Sequence, residues 1–204
     1  MNPLPELVVR QCDDALLLSR LQKRDAAVIQ QRFAQGHRAY VAWFAGEPAS
    51  FGWVATQRAE IGELSTSFAI PAGHRYLWNF VTLPAFRGLG IYPRLLEAIV
   101  QTESGAGVFW IARAPENRAS ARGIEKAGFK TVAALSFDLG GHSALGEVEP
   151  VGARRAARVL GLPLVTTVTP CWKCVRAGRG AMSCPEGQCQ CDYQKPEVAC
   201  EAVG

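Results

Sequence analysis

The stretch Tyr76-Leu77-Trp78-Asn79-Phe80-Val81-Thr82-Leu83-Pro84-Ala85-Phe86-Arg87-Gly88-Leu89-Gly90-Ile91 changes character twice. Tyr76 to Leu83 reads as a strand, rich in aromatic and β-branched residues, and it stops at Pro84 because proline has no N–H for a sheet ladder. Arg87 to Gln101 then sets Leu89, Leu95, Leu96, Ile99 and Val100 at the spacing of an amphipathic helix. A glycine-bearing turn that runs into a helix aims several backbone N–H groups at one spot, where the helix dipole also favours negative charge. Here that spot is Gly88 to Tyr92, and glycines at 88 and 90 let the main chain approach a pyrophosphate with no side chain in the way. Arg-x-x-Gly alone recurs by chance, so its neighbours must carry the reading.

Before this stretch, Glu6 to Gln11 reads as a strand. Asp13-Asp14 offers N-cap chemistry to the segment Ala15 to Leu21, and a second helix runs from Arg24 to Ala34. His37 to Ala45 and Ala49 to Thr56, joined by Gly46-Glu47-Pro48, form an antiparallel hairpin. After it, Gly107 to Ala112 is a continuously apolar run suited to a strand covered on both faces. Asn117 to Ala127 is a helix closed by Gly128, and Phe129 to Phe137 returns as a strand. Strands alternating with helices predict an α/β domain with at least one parallel crossover.

Two motifs in order give this layout a specific resemblance. Phe80 to Ile91 resembles the strand, proline, aromatic, R-G-x-G signature of the GNAT N-acetyltransferase superfamily, and Asn117-Arg118-Ala119-Ser120 with Glu125-Lys126-Ala127-Gly128-Phe129 resembles its second motif. The likeness spans Leu7 to Phe137. It implies a mixed α/β (α+β) fold, with a central, mostly antiparallel sheet flanked by helices, and acetyl-coenzyme A as co-substrate. By the same resemblance, Val81, Thr82 and Leu83 would pair with the pantetheine arm. Arg87, Gly88, Leu89, Gly90, Ile91 and Tyr92 would cradle the pyrophosphate, and Asn117 would reach the pantetheine or its thiol end. The implied reaction is attack of a neutral amine on the thioester carbonyl, with a backbone N–H stabilising the oxyanion.

The chain departs from the family pattern at two places. Tyr92 stands where a small residue is usual, and its ring either sits beside the ligand or packs on the surface. Ile124 stands where many members carry a tyrosine that protonates the leaving thiolate, and isoleucine has no proton to give. Tyr92, Tyr76 or a water are the replacement donors. Glu60, Glu63 and His74 are the candidate bases, while Asn79 can bind substrate but not act as a base. Trp43, Trp53, Trp78 and Trp110 read as core residues, Trp78 excepted because it neighbours the acceptor side. Cys12 reads as a small buried hydrophobe.

Formal charge is +4 at pH 7 and hydrophobic residues make up 49% of the 204 positions, which fits one catalytic-size domain with an appendage. We expect a domain at 1–140, a connecting helix (Gly152 to Leu160) and strand (Leu164 to Thr169) within 141–169, and a cysteine-rich tail at 170–204. In that tail Cys171, Cys174, Cys184, Cys189, Cys191 and Cys200 exceed one four-ligand site. Four of them binding zinc is the leading reading, with an iron–sulfur cluster or disulfides as alternatives. From Leu164 onward, Lys173, Arg176, Arg179 and Lys195 balance Glu186, Asp192, Glu197 and Glu201, which speaks against nucleic acid. No export signal or apolar span is visible, so a cytoplasmic enzyme acting on a small-molecule or protein amine is expected, with no membrane partner. The alternative is a non-catalytic GNAT-fold binding or regulatory protein whose tail holds a metal or a partner.

Overall fold

The computed structural model describes residues 4–62, 66–103, 105–113, 117–138, 142–165 and 197–203. Its N-terminal half opens with β1 (Leu7–Cys12), α1 (Ala15–Gln22) and α2 (Ala26–Ala34). The two helices start on Asp14 and Asp25, whose carboxylates accept from backbone N–H groups of the first turn. The hairpin β2 (Arg38–Phe44) and β3 (Glu47–Ala55) follows, then β4 (Arg58–Ile61), β5 (Thr66–Ala69), β6 (His74–Thr82) and α3 (Ile91–Thr102). The remainder comprises β7 (Val108–Ile111), α4 (Arg118–Lys126), β8 (Lys130–Phe137), β9 (Ser143–Glu147), α5 (Pro150–Leu160), β10 (Leu164–Val165) and β11 (Glu197–Val203).

One nine-stranded sheet runs β1-β2-β3-β6-β7-β11-β8-β9-β10, with β4 and β5 as a separate antiparallel pair. Only β6–β7 and β9–β10 are parallel. The expected mixed, mostly antiparallel sheet is therefore present, and so is the parallel crossover, made by α3. Three features went unread in the sequence. The β4–β5 pair is too short for a periodic signal. The strand β9 is likewise short. The third is β11, from the segment expected to be a cysteine-rich tail, whose backbone inserts between β7 and β8, with Cys200 opposite Ile111 and Thr131. Of the strand expected at Leu164 to Thr169, the described part is β10, parallel to β9.

Alternate strand residues face opposite sides, and the core divides accordingly. Tyr40, Ala42, Leu77, Phe109 and Ile111 meet Leu95, Leu96 and Ile99 of α3 and Ile124 of α4. On the other face, Ala39, Val41 and Trp53 meet Leu18 of α1 and Ile29 of α2. Tyr76 and Trp110 share that face with the β4–β5 pair and with Ala153 and Ala156 of α5. The apolar run of β7 thus has Phe109, Trp110 and Ile111 all buried, as a strand covered on both sides requires.

The C-terminal end of α3 is pinned to the sheet by one buried carboxylate. Glu103, 3% exposed, accepts from Arg38 Nη1 at 2.7 Å, Arg75 Nε at 2.8 Å and Tyr40 Oη at 2.9 Å. Burial alone would raise its pKa, but hydrogen bonds from Arg75, Arg38 and Tyr40 outweigh it and hold the group below the usual carboxylate value. The Tyr40 hydroxyl is pushed the other way, by burial and by the carboxylate it serves. Because the native pKa of Glu103 is depressed, its stabilisation is complete above the unfolded value of about 4.3 and is lost as pH falls through the native value. Glu103→Gln is expected to lower unfolding free energy at pH 7 by about 3 kcal/mol. In urea titrations the deficit relative to the parent chain should shrink below pH 4; a deficit constant with pH would show that the carboxylate is not ionised in the fold.

Candidate functional site

The centre of the sheet opens into a gap. Among the described residues β6 pairs with β7 from His74 to Leu77, against Val108 to Ile111, and then runs on to Thr82 with no strand on that side. Where the two part, β6 carries a bulge. Trp78 faces Trp53 and Val81 faces Phe51, so Asn79 and Phe80 together stand opposite the single residue Gly52. Asn79 takes a left-handed φ of 53° to make room for the extra residue. Gly52 is required there, since a Cβ on it would lie 2.0 Å from the Phe80 ring.

Next to the open strand lies the turn singled out in the sequence. Helix α3 begins at Ile91, four residues later than periodicity suggests, because Arg87 to Gly90 form a non-helical loop with positive φ at Gly88 (82°) and Gly90 (72°). Leu89 counted as the first helical apolar residue in the sequence, yet it is exposed. Gly90 is the N-cap and supplies no side-chain acceptor, whereas α1, α2, α4 and α5 are each capped by an Asp, Asn or Glu side chain. Gly90 thus offers no capping side chain to the first turn of α3, in which Pro93 has no N–H to satisfy. Arg94, missed in the sequence, folds back so that its Nη1 donates to Gly90 O at 2.7 Å, bringing a second guanidinium to this turn. Its spacing, four residues after the N-cap glycine, was the available signal. Arg87 Nε donates to Thr82 O at 3.2 Å and ties the turn to the end of β6. Leu83 donates to Ala49 O and accepts from Phe86 N, so its backbone is already engaged.

Tyr92 is half-buried, packed between β6 and α4. Its ring packs 5.6 Å from that of Phe80 and covers Gly123 of α4, where a Cβ would come within 2.4 Å of it. Its hydroxyl is 3.3 Å from Ser120 Oγ. Asn117 caps α4, its Oδ1 accepting from Ser120 N at 2.9 Å. Ile124 is fully buried in the core on this face. Tyr76 is buried on the opposite face, ring to edge with Phe68. His74 sits at the far end of β6, with Nδ1 accepting from Trp110 Nε1 at 3.1 Å. Glu63 lies outside the described residues, as do Cys171, Cys174, Cys184, Cys189 and Cys191. Among the described residues no group of His, Cys, Asp or Glu could hold a metal, and no described helix is long and apolar enough to cross a membrane. Cys12 is half-buried, and burial raises its thiol pKa.

On the other face, next to the bulge, is a cleft of about 630 Å³ whose walls include Arg32, His37, Glu60 and Trp78. Arg32 stacks over the rings of Trp78 (4.6 Å) and Trp53 (5.1 Å), and desolvation lowers its pKa. Gln22 Oε1 accepts from Arg32 Nη1 at 2.7 Å and from Asn79 Nδ2 at 3.2 Å, linking the cleft to the bulge. Burial, aided by the charge of Arg32, lowers the pKa of His37. Trp78, set apart from the other tryptophans in the sequence, is thus a wall of this cleft, while Trp53 and Trp110 are core.

Several solved structures are similar to this chain. They include yncA of Salmonella typhimurium, solved with acetyl-CoA (17% identity, 64% of this chain and 84% of that one, TM-score 0.47). Another is the aminoglycoside acetyltransferase AAC(6')-Ib with coenzyme A and kanamycin (18%, 62% and 86%, 0.48). A third is spermidine N-acetyltransferase of Vibrio cholerae with coenzyme A and spermine (12%, 65% and 86%, 0.50). No curated protein matches the chain in sequence. Residues 10–129, more than half of the chain and including the bulged strand, the uncapped turn and α4, match the model of the acetyltransferase (GNAT) family, and the chain therefore belongs to that family of acetyl-CoA-dependent N-acetyltransferases.

Proposed function

We propose that acetyl-coenzyme A enters from the α3–α4 face, with its pyrophosphate on the first turn of α3 and its pantetheine arm along the unpaired edge of β6. The observation that carries this reading is the conjunction of a strand left without a partner after Leu77 and an uncapped, glycine-built helix start beside it. Backbone N–H groups of Gly88 to Tyr92 hold the phosphates, and Arg87 and Arg94 supply positive charge. Thr82, on the edge of β6 turned away from β3, offers backbone to the extended arm as an added strand would use it, while Val81 is held to β3, its carbonyl accepting from Ser50 Oγ. Asn117, whose carbonyl is spent on capping, still has its amide N–H₂ to offer the arm.

The acceptor amine attacks the thioester carbon from the bulge. A carbon–nitrogen bond forms, the carbon–sulfur bond breaks, and the proton lost by the amine balances the one taken up by coenzyme A thiolate. Tyr92 is the proton donor to the thiolate in this reading, because its hydroxyl lies beside α4 and its ring beside Phe80 of the bulge. For the cysteines we propose the thiolate zinc site read from the sequence, drawn from Cys171, Cys174, Cys184, Cys189, Cys191 and Cys200. Zinc at about one ion per chain in native mass spectra would support it, and metal-free protein of unchanged stability would exclude it.

Two variants test the cofactor reading. Gly90→Asp sets a carboxylate where the phosphates would bind and forces a side chain into a left-handed φ; Arg87→Glu reverses charge with little strain. Each is expected to weaken coenzyme A binding by about tenfold or more in calorimetry, and Arg87→Glu should leave the melting temperature near that of the parent. Unchanged affinity in Arg87→Glu would remove that side chain from the site. Tyr92→Phe should lower kcat by about tenfold or more with coenzyme A affinity unaltered. A normal kcat in that variant would leave the proton to water.

A further inference from the structure

The cleft beside Trp78 holds polar groups with unspent hydrogen-bonding capacity. Trp78 Nε1 and His37 Nδ1, on two residues of its wall, are buried without a hydrogen-bond partner among the described residues; outside the lining, Gln22 joins Arg32 to Asn79. The Arg32 guanidinium lies over the rings of Trp78 and Trp53, which adjoin each other at 6.1 Å, and has one nitrogen on Gln22; no carboxylate lies within ion-pair distance of it among the described residues. A guanidinium stacked in this way presents its N–H edge, the shape that binds a carboxylate in bidentate fashion. Buried donors left unmatched in a cleft of about 630 Å³ are costly to the empty protein and are satisfied by a ligand that brings acceptors.

Charge selects further. Among the described residues the cleft is lined by Arg32 and Arg58 against one carboxylate, that of Glu60. Arg58 is turned toward Ser67 at 2.8 Å and stays in the wall. A polycation would meet two guanidinium groups and one carboxylate, an unfavourable balance. An ampholyte meets a partner for each of its charges.

We propose that this cleft takes the acceptor, and that the acceptor is an amine bearing a carboxylate, of the free amino-acid class, with the carboxylate on Arg32 and the Trp78 indole N–H. The proposal rests on the reading of β6 as the thioester strand, since Trp78 directly precedes the bulge. The amine then lies toward Asn79 and the gap, with Glu60 and His37 at the same cleft to receive its protons.

Matched acceptors that differ only in the carboxylate test this. Coenzyme A thiol release by the full chain with acetyl-coenzyme A is measured for L-leucine against isoamylamine, L-phenylalanine against phenethylamine, L-lysine against cadaverine, and for spermidine. At least one amino acid should exceed its decarboxylated partner by about tenfold or more in kcat/KM. Arg32→Gln should erase that advantage by raising KM for the amino acid alone, and Arg32→Lys should retain part of it. Equal or faster turnover of every decarboxylated amine, or of spermidine above all the amino acids, overturns the proposal; so does coenzyme A binding with no turnover of any acceptor in the panel. Coenzyme A binding is measured separately by calorimetry, and its absence would overturn the cofactor reading and this one with it. Should Arg32→Gln fail to fold, the comparison of matched acceptors with the parent chain decides.

Discussion

A sheet whose central strands separate must find another use for the backbone it leaves unpaired, and this requirement organises the molecule. From Trp78 to Thr82, β6 has lost β7 on one side while remaining held to β3 on the other. The parting is built in by an extra residue, for which Asn79 accepts a left-handed conformation and Gly52 gives up its side chain. Leaving hydrogen-bonding groups open in the middle of a sheet is costly unless a ligand or water completes them. What lies on either side of the gap is arranged accordingly: a glycine-capped helix start on one face and a polar cleft on the other.

Helix α3 holds the gap in shape because it is attached to β6 at both ends. At its C-terminus, Glu103 grips Arg75 near the start of β6, together with Arg38 and Tyr40 of β2. At its N-terminus, Arg87 bonds Thr82 O and Tyr92 packs on Phe80. The strand is thus fixed where it leaves the paired region and again where it meets the turn. Between these points, Leu77 is sealed under Leu95, Leu96 and Ile99. A helix attached at one end alone could swing and change the width of the gap. Two attachments turn it into a strut, and the turn at Arg87 to Gly90 inherits a fixed distance from the bulge.

The parts of this arrangement that depend on local sequence could be read directly. The strand ending at Pro84, the glycine turn, the Asn117 cap and the helix closing at Gly128 all follow from residues adjacent in the chain. The bulge left no such trace, since Asn79 and Gly52 acquire meaning only when β3 lies beside β6. Arg94 was hidden by lying inside a helical pattern, where arginine is unremarkable on an exposed face. The strand β11 was masked by a cysteine-rich context that suggested metal chemistry rather than a place in the sheet. Tyr92 could be recognised as unusual, but its destination could not, because that depended on a glycine in another helix.

That glycine bears on how the chain handles its missing tyrosine. The family pattern has a small residue at position 92 and, in many members, a tyrosine at 124; this chain has the large residue on α3 and a buried isoleucine on α4. The exchange requires space, and Gly123 supplies it, for the Tyr92 ring lies where any Cβ at 123 would be. The hydroxyl thereby reaches Ser120 on the same helix, one turn before the position a tyrosine at 124 would occupy. The two departures from the pattern are thus a single change in which volume and a phenol have passed from α4 to α3. Ile124 fills the core beneath, which a polar hydroxyl would do poorly. A glycine in mid-helix costs roughly 1 kcal/mol relative to alanine, and at position 123 that cost is offset by the room it gives the Tyr92 ring.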